Sequence, residues 1–164
     1  MSQPVKQARF SLFIYGAGHH QAAWRAPDSP AERLGEAAYY VELAQVAERG
    51  LLDAVFLADG QAVAPEAVAA GPTWFFEPFT LLSALSQHTS RIGLVCTVSS
   101  SFYTPFHAAR MLASLDRLSG GRAGANVVTS MWDAEAQNHG RETLGDHAYR
   151  YGRADEFITV LRQL

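Results

Sequence analysis

Four short apolar runs, separated by stretches of helical periodicity, constrain this chain more than any other feature. The runs are ARFSLFIY (8–15), AVFLAD (54–59), IGLVCTVS (92–99) and AGANVVTS (123–130). After the first run, Ala37, Tyr40, Val41, Ala44 and Ala47 recur at helical spacing until Gly50 stops them. Glu77-Pro78 opens a second predicted helix through Leu81, Leu82 and Leu85, with proline in the first turn, where its missing N–H costs nothing. Thr104-Pro105 reads as the cap and first residue of a third, whose stripe is Ala108, Met111, Leu112, Leu115 and Leu118, closed by Gly120-Gly121. A last helix begins near Asp146 and carries His147, Tyr151, Ala154, Ile158 and Leu161 on one face. Continuously apolar strands alternating with amphipathic helices predict a parallel α/β sheet, either doubly wound or barrel-like.

Loop lengths separate the two ends of that sheet. The helix-to-strand turns (GLLD, HTSR, SGGR) are brief, whereas three of the four strand-to-helix connections are well beyond the usual 2 to 6 residues. In parallel α/β folds the loops at the carboxyl ends of the strands carry the ligand site. The apolar runs also turn polar there: one ends in Asp59, another in Thr97, Ser99 and Ser100, the last in Thr129 and Ser130. The expectation is that these groups face a ligand, against the plainer alternative that a strand leaving the core simply becomes polar. GAGHHQ lacks the third glycine and following helix of a dinucleotide fingerprint, and no phosphate-loop motif occurs.

Composition narrows the partners. With 164 residues, 48% of them hydrophobic, the chain can bury a core and reads as one domain. A net charge of -3 with both signs interspersed offers no basic stripe for nucleic acid and no polybasic membrane patch. Cys96, the single cysteine, lies inside an apolar run and reads as a buried thiol, with no intramolecular disulfide. No run approaches the roughly 18 apolar residues of a membrane span, so a cytoplasmic location is expected. Adjacent His19 and His20 have no third ligand at metal-site spacing, so no metal is expected. His88 and His107, in or beside helices, read as structural.

The order of motifs resembles the N-terminal part of the bacterial luciferase-like flavin monooxygenases, in the branch containing nitrilotriacetate, dibenzothiophene-sulfone and long-chain alkane monooxygenases. The resemblance rests on AERGLLDAVFLAD, on the block from Glu77 to Ser130, and on HAYRYGRADEFITVLRQL. It implies parallel (β/α) units of a TIM-type (β/α)8 barrel, about the N-terminal half only. It also implies reduced FMN, delivered by a separate flavin reductase, which activates O2 for insertion into a small-molecule substrate. By resemblance, Asp59 and Thr97 contact the flavin, and His147 and Tyr151 reach its phosphate end. Without the resemblance the last pair reads as core packing. His19, His20 and Trp24 fall where the family places residues near the reacting edge of the flavin. Either histidine can there donate to developing negative charge, although adjacent loop histidines are as readily solvated. Trp74, Phe75, Phe76 and Phe102 are candidates to line a dry cavity. His139 and Ala125 stand where relatives tend to carry an aromatic residue and Trp.

A complete barrel takes about 250 residues, and four βα units are countable here. The chain therefore reads as residues 1–164 of an apparently truncated half-barrel. A second expectation follows, that of a half-barrel without activity by itself, serving as an assembly or flavin-binding module. Open sheet edges and an apolar inner face favour a homo-oligomer. A deazaflavin-dependent dehydrogenase of the same superfamily is the third reading.

Overall fold

A computed structural model describes residues 7–20, 22–72 and 76–164. Four strands, β1 (Ser11–Ile14), β2 (Ala54–Leu57), β3 (Gly93–Ser99) and β4 (Ala123–Val128), form one sheet in the order β1-β2-β3-β4, every neighbouring pair parallel. A doubly wound sheet reverses its strand order at a switch point. The order here never reverses, as in a barrel wall, which settles the alternative that periodicity left open.

The helices are α1 (Ala37–Arg49), α2 (Pro65–Ala70), α3 (Pro78–Ser86), α4 (Pro105–Ser119), α5 (Asp133–Asn138) and α6 (His147–Leu161). Their ends follow from local chemistry. The Glu77 carboxylate caps α3 by accepting from the N–H of Phe79 and of Thr80, both at 2.8 Å. Thr104 Oγ1 accepts from His107 N at the start of α4, and Asp146 from Tyr149 N at the start of α6. Gly120 closes α4 in the left-handed region (φ 70°), where a side chain would be strained. The strands are shorter than the apolar runs, because the flanking residues already turn away from the ladder. The long connections are not structureless: α2 and α5, neither of which the periodicity suggested, lie within them.

The core occupies one side of the sheet. Leu12, Val55, Leu94 and Ala123 form one cross-sheet row, and Ile14, Leu57 and Cys96 the next; both belong to the cluster with Tyr40, Ala44, Leu82, Leu85, Ala108 and Leu115 from α1, α3 and α4. Leu82, Leu85 and Leu94 have no exposed surface. Cys96 is fully buried, donates to Gly124 O at 3.4 Å, and burial pushes its thiol up to about 12, as expected of an inert core thiol. With a period of two, the opposite face carries Phe13, Phe56, Val95 and Gly124 in one row. Phe13 and Phe56 meet there at 4.8 Å, and both are only half-buried.

The amino-terminal end of the sheet is bolted by two charged side chains. All five N–H groups of the Arg122 guanidinium donate: to Ser119 O, Thr89 Oγ1, Ile92 O, Ser86 O and Thr89 O. Glu48 Oε1 accepts from the N–H of Ser90, Arg91 and Ile92.

Candidate functional site at the carboxyl ends of the strands

The serine hydroxyls at the strand ends do something different from what the sequence suggested. Thr97, 3% exposed, donates to Leu57 O at 3.0 Å and accepts from Asn126 Nδ2 at 3.3 Å. Ser99 and Ser130 bond each other at 2.9 Å. Ser100 donates to Val128 O and Ser101 to Thr129 O. These groups lace β2, β3 and β4 together where their ladders end, so the expectation that the terminal serines face a ligand is corrected. A buried hydroxyl needs a partner, and each of these finds one in a neighbouring carbonyl or hydroxyl.

Asp59 remains partly open. Burial pushes its carboxyl above the ordinary aspartate value, the nearby charge of Glu77 and, less, Glu135 adds to this, and hydrogen bonds from the Gln61 amide and Gly60 N–H oppose it. Tyr103 shares this environment: burial, followed by Glu77, Asp59 and Cys96, pushes its hydroxyl up to about 12.

Behind Asp59 stands a network that the sequence reading missed. Glu135, 5% exposed, accepts from Gln61 N at 3.2 Å, Met131 N at 2.8 Å and Trp132 N at 3.0 Å. Burial raises its pKa, but these N–H donors and the Ser130 hydroxyl outweigh burial and hold it below the ordinary glutamate value. One carboxylate thus ties the loop after β2 to the loop after β4. Ser130 makes the turn possible by taking a left-handed backbone (φ 63°), which aims the two following N–H groups at Glu135. The signal in the sequence is faint: a Glu five residues beyond the end of NVVTS, with no motif around it.

Beside this network a cleft of about 850 Å³ lies between the first loop, α2 and Trp132, lined by Phe13, Tyr15, His19, His20, Trp24 and Trp132 among others. The structure therefore brings both predicted histidines and Trp24 to one cavity. His19 stacks on Tyr15 (5.0 Å, 16°) and meets the edge of Phe13. His20 is engaged locally, its Nδ1 accepting from Ala22 N at 3.1 Å. Both side chains are exposed. Trp24 closes the wall against Gly71, where a Cβ would lie 2.6 Å from the indole; only glycine permits that approach. Phe102 stacks on His139 (4.2 Å, 8°) instead of lining this cleft, and Trp74 and Phe75 lie outside the described residues. A smaller groove of about 370 Å³ between α3 and α4, lined by Phe79, His107 and Met111 among others, sits on the helical layer and contains none of the strand-end groups.

His147 and Tyr151 stack on each other at 4.2 Å, one turn apart at the start of α6, and both are exposed. Neither ring joins the core of this chain; Ala154 and Phe157 carry the buried side of the helix. Arg153 Nε donates to Ser100 O at 2.9 Å, which places this half of α6 over the end of β3. Nearby, Arg150 Nε is buried without a partner while its Nη1 donates to Gly145 O. His88 and His107 are exposed, and neither lies among the strand-end groups. Among the described residues, no group of three His, Cys, Asp or Glu could hold a metal ion, and no helix is long and apolar enough to cross a membrane.

Consecutive parallel βα units with a cleft and a perturbed carboxylate at the strand carboxyl ends define a segment of a ligand-binding (β/α) barrel. The chain belongs to the luciferase-like monooxygenase family, which matches residues 11–164. It is 48% identical to N-acetyl-S-(2-succino)cysteine monooxygenase of Bacillus subtilis (strain 168), over 100% of this chain and 37% of that protein. It is 42% identical to nitrilotriacetate monooxygenase component A of Aminobacter aminovorans, over 97% and 38%. Dibenzothiophene-sulfone and long-chain alkane monooxygenases also match, so the branch is the one its motifs resemble. Among solved structures, a riboflavin lyase with modified FMN and riboflavin superposes with a TM-score of 0.86 at 32% identity, over 97% of this chain and 38% of that one. The chain thus spans less than two fifths of the length of the relatives it matches, and its fold is a partial barrel.

Proposed function

We propose that this chain supplies the first wall of a flavin-dependent monooxygenase site that takes reduced FMN, O2 and a small organic substrate, with the flavin delivered by a separate reductase. The observation that carries this reading is Asp59: a half-buried acceptor just beyond the end of β2, close to the charges of Glu77 and Glu135, on the same end of the sheet as the aromatic cleft. Such a group favours a neutral ligand rich in N–H and O–H donors, and the ring and ribityl chain of FMN fit that description. The exposed His147–Tyr151 pair at the start of α6 fits the anionic end. Two relatives support it: a riboflavin lyase carries modified FMN, and the nitrilotriacetate enzyme is named as component A.

When bound, reduced FMN supplies the electrons for splitting O2, one atom of which enters the substrate. The chain's own residues then have definite tasks. Asp59 accepts from the flavin, Thr97 fixes the spacing of β2 and β3 beneath it, and Tyr15, Trp24 and Trp132 exclude water from the cleft. His19 or His20 donates to oxygen as it gains charge. Asp59→Ala is expected to weaken FMN binding about tenfold, the worth of one charge-assisted hydrogen bond, with little change in melting temperature. Tyr151→Phe is expected to weaken FMN binding while leaving riboflavin nearly unaffected. Fluorescence titration with both ligands checks each; an unchanged FMN affinity in Asp59→Ala, or equal losses for FMN and riboflavin in Tyr151→Phe, removes that residue from the site.

The half-buried row of Phe13, Phe56 and Val95 supports a second reading, that of a flavin-binding or assembly module without activity by itself. Exposed apolar surface costs about 25 cal/mol per Å², which association of this face in a homo-oligomer relieves. Native mass and the coupling of reduced-FMN consumption to oxygen insertion distinguish the two. A compact monomer with tight coupling overturns the module; a dimer that binds flavin and releases only hydrogen peroxide overturns the complete enzyme.

A further inference from the structure

We propose that Gln61 is the positioning residue of the Asp59 site, and that His139 sets it by fixing which end of the Gln61 amide faces the carboxylate. Every polar group of Gln61 is engaged. Its backbone N–H donates to Glu135 Oε1 at 3.2 Å, and its backbone carbonyl accepts from Asn138 Nδ2 at 2.8 Å. Its side-chain Nε2 donates to the Asp59 carboxylate, and its Oε1 lies 3.2 Å from His139 Nε2. A glutamine four residues beyond the end of β2 has no local reason to be gripped on all four groups. Three of the four partners come from α5 and the residue that follows it, 74 to 78 positions away in the chain.

The amide's two ends have nearly the same shape and opposite polarity, so packing alone does not choose between them. An ionised carboxylate only accepts, which requires the Gln61 NH2 to face Asp59. Oε1 must then face His139, and His139 must carry its proton on Nε2. The imidazole is held in place for this by its stack on Phe102, which enters from the loop after β3 with Arg141 5.9 Å from its ring. Reversing the amide would set an oxygen against a carboxylate already facing Glu77 and Glu135. Loops from β2, β3 and β4 therefore converge on the direction of one hydrogen bond to Asp59. Phenylalanine at position 139 would keep the stack and lose the donor, so the choice of histidine matters to Asp59 specifically.

The importance of this bond to ligand binding rests on the reading of Asp59 as the flavin contact, and the test separates the two. The Asp59 carboxyl is titrated by carbon-13 NMR in the full chain, assigned with Asp59→Asn, alongside FMN affinity. Loss of one hydrogen bond to a carboxylate moves its midpoint up by about one pH unit. Gln61→Met is expected to give that rise and a weaker FMN affinity. His139→Phe should give a smaller rise in the same direction, and His139→Gln, which restores an N–H donor, should return the midpoint toward that of the unaltered chain. If Gln61→Met does not fold, the two His139 variants carry the test. An Asp59 midpoint unmoved in Gln61→Met, or unmoved in His139→Phe, overturns the proposal. A shifted midpoint with unchanged FMN affinity upholds the positioning role and overturns the flavin contact instead.

Discussion

Glu135→Ala is expected to cost about 3 kcal/mol of stability, from a total that for a domain is typically 5–15 kcal/mol. The substitution strands three backbone N–H groups, those of Gln61, Met131 and Trp132, in a region where the glutamate itself is 5% exposed. Each unmet buried donor costs roughly 1–3 kcal/mol, reduced where water reaches it. Urea unfolding reads the loss as a lower midpoint. Because Trp132 borders the cleft and Gln61 holds Asp59, ligand affinity should fall along with stability. Glu135→Gln should fall between, keeping one acceptor oxygen and losing the charge. The pH dependence has a definite sign. The Glu135 carboxyl is held below its ordinary value of 4.5, so its contribution is complete above that pH and is lost as pH falls through the folded midpoint. Acid should therefore loosen the strand-end loops of the intact chain, and Glu135→Ala should flatten that part of the profile. A variant as stable as the unaltered chain at pH 7 would show that water replaces the carboxylate without penalty.

Arg122→Ala is expected to be comparably destabilising, about 3 kcal/mol, with none of the effect on the ligand end. Its five hydrogen bonds bind Ser86, Thr89, Ile92 and Ser119 at the amino ends of β3 and β4. Removing the guanidinium leaves four carbonyl groups and a hydroxyl to find water, which some can do because the arginine is only partly buried. For a chain of this size the change corresponds to roughly 10 °C in melting temperature. Ligand affinity measured well below the transition should be unaltered. If it fell as far as in Glu135→Ala, the two ends of the sheet would not be independent, and the division between a stability face and a binding face would fail.

That division is legible in the sequence, because it is written in loop length. Short GLLD, HTSR and SGGR turns leave no room for more than a connection, and Arg122 and Glu48 use those turns as bolts. Helix ends were legible as well. Glu77, Thr104, Asp146 and Gly120 act through neighbours two to four residues away, so their roles are fixed by local sequence. Motifs, not periodicity, carried Asp59, Thr97, His147 and Tyr151 as candidates. The alternation of four apolar runs with amphipathic stretches dictated a parallel sheet, since such strands must be covered and such helices must cover them.

What remained hidden depends on contacts between residues far apart in sequence. Whether a strand-end hydroxyl meets a ligand or a neighbouring carbonyl is decided by the register of β2, β3 and β4. That register turned Thr97, Ser99 and Ser130 inward and left Asp59 partly open. The exposure of His147 and Tyr151 followed from where α6 rests on α4, which their helical spacing did not specify. Gln61, Glu135 and His139 carry no motif because their meaning exists only once three loops converge at the strand ends. Sequence by itself determined the elements, their caps and which end of the sheet is open, since these rest on short-range chemistry and hydrophobic period. Tertiary structure alone decided which polar groups are spent on each other and which stay available, because a hydrogen bond between distant residues is a property of the packed fold.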